Sequence, residues 1–535
     1  MKTLYKNALI TNHPEPTCMI TDNDRIAYIG PNPTTDVDTT IDLANRHILP
    51  GFIDGHMHLL LFGSSLSKID LGPCTSLTDI RNTILTHARQ NPHLPRLFCR
   101  GWMHSMTDGA ALASMLDDLD PRPIFIDAKD LHSAWCNTPA LAELGVLHPG
   151  SVPDPAGGEI HRDESGTATG LLSEAAAVNI VWPHVARVAS VEEKKGFVRS
   201  AVAAYQGAGY TGINEMATDE NLWEIVNLCH YESGSSSGSA SGSGGGLGVR
   251  MAGYWIISPK ESEEEELRQV DRAVELFKLS SGDGPRIVGI KVICDGVVDA
   301  CTAALTEAYA STGANCAPLW SKARLAGVVR RADAAGLQCA LHAIGDATVR
   351  MVLDVLEAEG TVGRRHRIEH LELTTAEDAA RLGRLGVTAS VQPVHADPAI
   401  LRAWPKLLGR ERCARAFAYR EFVDNKAPLA IGTDSPTAPH WPFRNLYTAT
   451  TRKSAREPEL PDTVNRHFGL SLLEAVNAAT AGSAYACFAD GVVGRLDVGM
   501  KADFVVVDML WDEERLLEAR VCETYFDGVR VYTSI

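Results

Sequence analysis

The chain has 535 residues, 45% apolar and 22% charged, with a formal net charge of −17 at pH 7. That length fits a large α/β domain with an accessory domain, in an ordinary globular composition. The acidic balance argues against nucleic acid or an anionic membrane as partner. No run of about 18 apolar residues exists to span a bilayer. Residues 1–7 lack the apolar stretch of a signal peptide and read as the start of a fold. The 12 cysteines form no Cys-x-x-Cys pair, which fits reduced thiols in a cytoplasmic protein and not a thiolate zinc site.

In chain order, residues 4–10, 19–21 and 26–29 are short strands around an Asp22-Asn23 turn. After Pro50-Gly51, residues 52–58 read as a buried strand that ends in His56 and His58. Residues two apart in a strand share a face, about 6.5–7 Å from each other. Two imidazoles so placed can hold one metal ion, each through a ring nitrogen at about 2.0–2.1 Å. A long span of mixed signals follows, read as a subdomain inserted at 59–210. It has strands at 96–101 and 124–127 and turns at 157–158 and 163–170. The Ser/Gly tract 233–246 cannot bury enough surface to offset its ordering entropy and is expected to be a disordered loop.

From residue 249 strands and helices alternate. Strands are expected at 249–256, 287–293, 337–342, 367–371, 387–392 and 429–434, and helices at 321–335, 347–359 and 375–385. With 52–58 and 211–215 the strands number eight. Eight is the count of a (β/α)8 TIM-like barrel, whose active sites lie at the C-terminal ends of the strands. The barrel is assigned to 51–490. Ser471 to Glu474 is a capping box opening its last helix. Residues 504–507 and a hairpin turning at Asp527-Gly528 are expected to join 1–50 in a small β-sandwich made of both chain ends, 1–50 and 491–535.

Polar residues then cluster at strand ends: His56, His58, Lys291, His342, His370 and Asp434. Each alone has a bland reading. His342 or His370 can be a core histidine satisfied by backbone. Asp434, before Ser435-Pro436, can be a turn residue, and Lys291 can snorkel outward. Together, four imidazoles and a carboxylate at one barrel mouth form a competent ligand set for zinc or a similar divalent ion.

The motifs carry a resemblance. They are Pro50-Gly51-Phe52-Ile53-Asp54-Gly55-His56-Met57-His58, His132-Ser133-Ala134-Trp135-Cys136-Asn137, Lys291-Val292-Ile293-Cys294-Asp295-Gly296 and His342-Ala343-Ile344-Gly345-Asp346. Further along are Arg367-Ile368-Glu369-His370, Ser390-Val391-Gln392-Pro393, Gly432-Thr433-Asp434-Ser435-Pro436 and Gly499-Met500-Lys501-Ala502-Asp503. Nearly end to end, the chain resembles the amidohydrolase superfamily, in the branch called amidohydrolase family 3 or YtcJ-like, and is similar to N-substituted formamide deformylases.

That resemblance implies one or two divalent metal ions, zinc before others. His56, His58 and Asp434 would bind the first ion and His342 and His370 the second. Lys291, carboxylated on its amine, would bridge them. The implied reaction is hydrolysis of a C–N bond by attack of a metal-bound hydroxide. Asp434 would take the water's proton and pass it to the leaving nitrogen. The expected substrate is a small-molecule amide with a small acyl group, an N-formyl amide first, and an apolar or aromatic amine. Trp102, His132, Trp135 and His395 are the candidates to line its pocket. The alternatives are decarboxylation, isomerisation or ester hydrolysis at the same metal site, or a non-catalytic binding protein. A homodimer is left open.

The tract 233–246 lies away from every candidate ligand in sequence. A variant with it shortened is expected to keep its melting temperature and its turnover. A loss of more than a few-fold in turnover would make the tract a lid.

Overall fold

The computed structural model describes all residues except 11–16, 34, 130–132, 156–157, 175, 236–245, 281–283 and 535. It divides into two units, residues 1–59 with 198–535, and residues 60–197.

The larger unit holds eight parallel strands, paired in chain order. They are β1 (Phe52–Met57), β2 (Tyr210–Thr218), β3 (Arg250–Ile257), β4 (Arg286–Ile293), β5 (Gln338–Ala343), β6 (Arg367–His370), β7 (Thr388–Val391) and β8 (Leu429–Ile431). The sheet curls until its edges meet. Met57 and Ser435 form a parallel bridge, the His58 N–H donates to Ser435 O at 2.9 Å, and the Asp434 N–H donates to His56 O at 2.7 Å. The result is a nearly closed barrel. Between the strands run amphipathic helices. In Lys322–Ala334, for example, Leu325, Val328, Val329 and Ala332 form the buried stripe and the Ser321 hydroxyl caps the start. Ser471 and Glu474 make the expected capping box.

Two glycines permit the closure. A Cβ on Gly432 would lie 2.4 Å from the backbone nitrogen of His56, and one on Gly55 would lie 2.7 Å from the carbonyl oxygen of Ile431. The last strand also stops earlier than its apolar run suggests. β8 ends at Ile431, and Asp434 has turned into the left-handed region with φ 55°.

Both chain ends contribute to one further eight-stranded sheet. Its order is Val529–Thr533, Arg520–Phe526, Phe504–Asp508, His47–Pro50, Lys2–Ile10, Thr17–Asp22 and Arg25–Gly30, with Thr39–Asp42 on the side of Lys2–Ile10. The strand Lys2–Ile10 pairs with Thr17–Asp22 along its length and with His47–Pro50 only at Leu9 and Ile10. Tyr5 meets Phe504 and Tyr525 edge-on at 5.1 and 5.4 Å in the core. Arg250, at the start of β3, donates to Asp503 at 2.9 Å and to Asp527 at 2.6 Å. The Gly499 to Asp503 motif thus anchors the barrel to this sheet.

The smaller unit carries a six-stranded sheet in the order Gly158–Arg162, Ala168–Glu174, Ser133–Cys136, Ile124–Ala128, Leu97–Trp102 and Ile69–Asp70. Of the turn expected at 163–170, its last three residues belong to the Ala168–Glu174 strand. The helix Glu220–Ser235 runs three residues into the Ser/Gly tract, and 236–245 lie outside the described residues. Among the described residues no helix is long and apolar enough to cross a membrane.

Gly432→Ala would force a methyl into backbone and should cost about 1–3 kcal/mol, as overpacking does. A lower denaturant midpoint checks this. Gly491→Ala serves as control, because a Cβ there meets nothing within 4 Å.

Candidate metal centre

β1 and the segment after β8 bring three of the expected residues together. His56 Nε2 is 3.5 Å, and His58 Nε2 3.1 Å, from Asp434 Oδ1. One ligand atom from each of the three lies within 4.8 Å of the others. A second such set is His370, His395 and Asp434, with His395 Nε2 3.7 Å from Asp434 Oδ2. The His370 ring is 4.9 Å from that of His56, 4.3 Å from that of His342, and stacked on that of His395 at 5.9 Å. His342 turns its Nε2 toward Gly296 O, at 3.5 Å. It therefore lies beside His370 but outside both sets.

Backbone geometry does part of this work. His370 and Asp434 have φ of 77° and 55°, in a region that non-glycine residues seldom occupy. In β6 the strand alternation puts Arg367 and Glu369 on one face. The positive φ at His370 breaks that alternation and lets its ring join the same cluster.

Carboxylates not expected from the sequence support the histidines. Glu369 Oε2 lies 2.7 Å from His56 Nδ1, and Arg367 donates to Glu369 Oε1 at 2.6 Å. Glu215 accepts the Leu59 N–H, and its Oε1 lies 4.0 Å from His58 Nδ1. Asp54 accepts the Thr433 hydroxyl at 2.6 Å and the Tyr205 hydroxyl at 2.9 Å. Asp295 accepts the N–H groups of Ala304, Ile344 and Gly345 at 2.9–3.1 Å. The two Asp-Gly and Ile-Gly motifs after β4 and β5 are thereby held as one cradle beside His342.

The electrostatics suit a cation. Burial, with the Lys291 charge, pulls His56 down to about 4. Burial and Lys291 pull His342 to about 3. Burial holds His370 well below its ordinary value. All three stay neutral, as metal ligands must. Burial works to raise the Asp434 pKa, but His56 and His58 outweigh it and hold the carboxyl ionised. Burial lowers Lys291 in spite of Glu369 and Asp434. The buried Nδ1 atoms of His58 and His370 have no hydrogen-bond partner among the described residues. Imidazoles with unshared nitrogens around an ionised carboxylate fit a divalent ion.

The pocket candidates fare differently. Trp102 and Trp135 are fully buried in the core of the smaller unit, 5.3 Å from each other. Their indole N–H groups donate to Thr107 Oγ1 and Leu112 O. This corrects the expectation that they line a pocket. Indoles packed on Ile and Leu with satisfied N–H groups have no face left for a ligand. His132 lies outside the described residues. His395 sits in the cluster itself.

The sequence profile of the amidohydrolase family matches residues 39–532. The chain belongs to that family. It is 28% identical to the putative amidohydrolase YtcJ of Bacillus subtilis (strain 168), over 92% of this chain and 90% of that one. It is 24% identical to the N-substituted formamide deformylase of Arthrobacter pascens, over 92% of this chain and 89% of that one. A solved structure of an uncharacterized metal-dependent hydrolase from Pyrococcus horikoshii OT3 superposes with a TM-score of 0.78 at 22% identity, covering 99% of this chain and 100% of that one. This last likeness shows the shared fold.

The buried imidazoles predict a pH dependence. An unfolded chain protonates them near pH 6.5, and the folded barrel only near pH 3–4 for His342 and His56. Stability that comes from keeping them neutral is full above about pH 6.5 and is lost as pH falls from there toward 4. The denaturant midpoint of chelator-stripped protein should drop through that window. A flat midpoint from pH 7 to 4 would contradict the assignment.

Proposed function

We propose that this amidohydrolase cleaves the C–N bond of a small-molecule amide, N-formyl amides first, with one or two divalent ions, zinc before others. The observation that carries the reading is the convergence of Asp434 with two pairs of histidines, His56 with His58 and His370 with His395. The formamide deformylase among its relatives supports the choice of substrate. Bound here, the ions would lower the pKa of a water molecule and polarise the substrate carbonyl.

His56, His58 and Asp434 would hold the first ion. His370 would hold the second, with His342 as the family pattern implies or with His395, which this geometry favours. Burial lowers the Lys291 pKa, which favours the uncharged amine that adds carbon dioxide. The resulting carbamate would bring two oxygen ligands and a negative charge between the cations. Asp434 is ionised and takes the proton of the attacking water, then returns it to the departing nitrogen.

The test has two parts. Protein prepared without chelator should carry one or two divalent ions per chain by elemental analysis. Formamides, acetamides and benzamides of one arylalkyl amine should then give the highest kcat/KM for the formamide, with released amine measured. Activity should vanish on chelation and return with metal. Preference for bulky acyl groups, or turnover of esters or carboxylic acids but not amides, would overturn the substrate. Stoichiometric metal with no turnover in any class would favour a binding protein.

A further inference from the structure

Glu369 has no access to solvent. Its Oε2 lies 2.7 Å from His56 Nδ1. A carboxylate gripped on both oxygens by the Arg367 guanidinium accepts hydrogen bonds and donates none, so His56 Nδ1 carries the ring proton. A neutral imidazole has one such proton, and Nε2 then keeps its lone pair, turned toward Asp434 Oδ1 at 3.5 Å. Arg367 fixes the carboxylate in turn, donating from Nε to Oε1 at 2.6 Å and from Nη2 to Oε2 at 3.2 Å.

The guanidinium has further partners. It donates to Gly55 O at 2.6 Å, to Ser390 Oγ at 2.6 Å and to the Tyr254 hydroxyl at 3.2 Å. Gly55 O is the carbonyl immediately before His56. The same cation therefore steadies the backbone that carries His56 and the carboxylate that orients its ring. A tie between strands would need neither the carboxylate nor its bond to a histidine.

We propose that Glu369 is a positioning residue: it holds His56 as the Nδ1–H tautomer so that Nε2 is presented to the first metal ion, and Arg367 fixes the carboxylate in that role. The inference rests on His56 being a metal ligand, as in the function proposed above.

Glu369→Gln is nearly isosteric and removes the charge that selects the tautomer. Zinc affinity is read by competition with a chromophoric chelator on metal-stripped protein. Loss of an outer carboxylate partner typically lowers metal affinity about 10- to 100-fold, and that is expected for the first zinc. Glu369→Asp keeps the charge at a shorter reach and should fall between the two; it carries the test if Glu369→Gln does not fold. Tyr254→Phe removes one tie of Arg367 without touching Glu369. It should lower the melting temperature and leave zinc affinity unchanged, and cobalt-substituted protein should keep its parental visible spectrum in this variant but not in Glu369→Gln. Unchanged zinc affinity in the Glu369 variants, or equal losses in Tyr254→Phe and Glu369→Gln, would overturn the inference. If the parent itself binds no zinc, the proposed function falls with it; if the parent binds and Glu369→Gln binds equally well, only the positioning role falls.

Discussion

The seam between the first and last barrel strands is the constraint on which the site depends. Here two backbones come closer than any side chain allows, at Gly55 and Gly432. Asp54 locks the junction from one side, accepting the Thr433 N–H at 2.9 Å as well as its hydroxyl. Burial raises that carboxyl to about 6, against its hydrogen bonds. Closing the seam also sets Asp434 beside His56 and His58. A barrel held open here would keep its helices and its fold class but lose the meeting of carboxylate and imidazoles.

Below the mouth the buried charges are arranged by depth. Arg367 and Glu369 form a pair with no exposed surface, and above them lie imidazoles held neutral. Buried ion pairs are seldom kept for stability alone, since apolar replacements often do as well. Arg367 shows why one persists here. Its hydrogen bonds reach β1, β3 and β7, and the pair it forms touches a candidate ligand directly. Hydrocarbon could fill that space but could not select a tautomer.

Much of this was legible beforehand, and the reason is periodicity. The eight barrel strands are legible as short segments, most of them apolar and from residue 249 alternating with helices, and His56 and His58 are readable because two-residue spacing in a strand means one face. What the pattern could not carry was backbone exception. Strand alternation gives no hint that His370 turns to share the cluster, because a positive φ is a tertiary outcome. Glu369 stood beside His370 in the motif, yet nothing in the linear order says that its partner is a histidine more than three hundred positions earlier. Glu215 closes the expected strand 211–215, and nothing in the linear order marks it as a neighbour of His58. Trp102 and Trp135 misled in the other direction: an aromatic in an insert reads equally well as a pocket wall or as core, and here local packing decided for core. The site's imidazole and carboxylate chemistry was thus visible in the sequence, but not the supports behind it.

The sheet made from both ends has a consequence for the chain as it is born. Leu49 and Pro50 pair antiparallel with Val505 and Phe504, and Met57, paired on one side with Glu215, meets Ser435 on the other. At ribosomal rates of about 5–20 residues per second, the first strand waits on the order of half a minute for the last to emerge. Through that interval its apolar edge faces the cell unpaired, and the smaller unit, which is contiguous in sequence, can finish folding first. The order of emergence is therefore inside out: the inserted piece early, the barrel seam late, and the histidines' carboxylate partner at Asp434 last of the site to arrive.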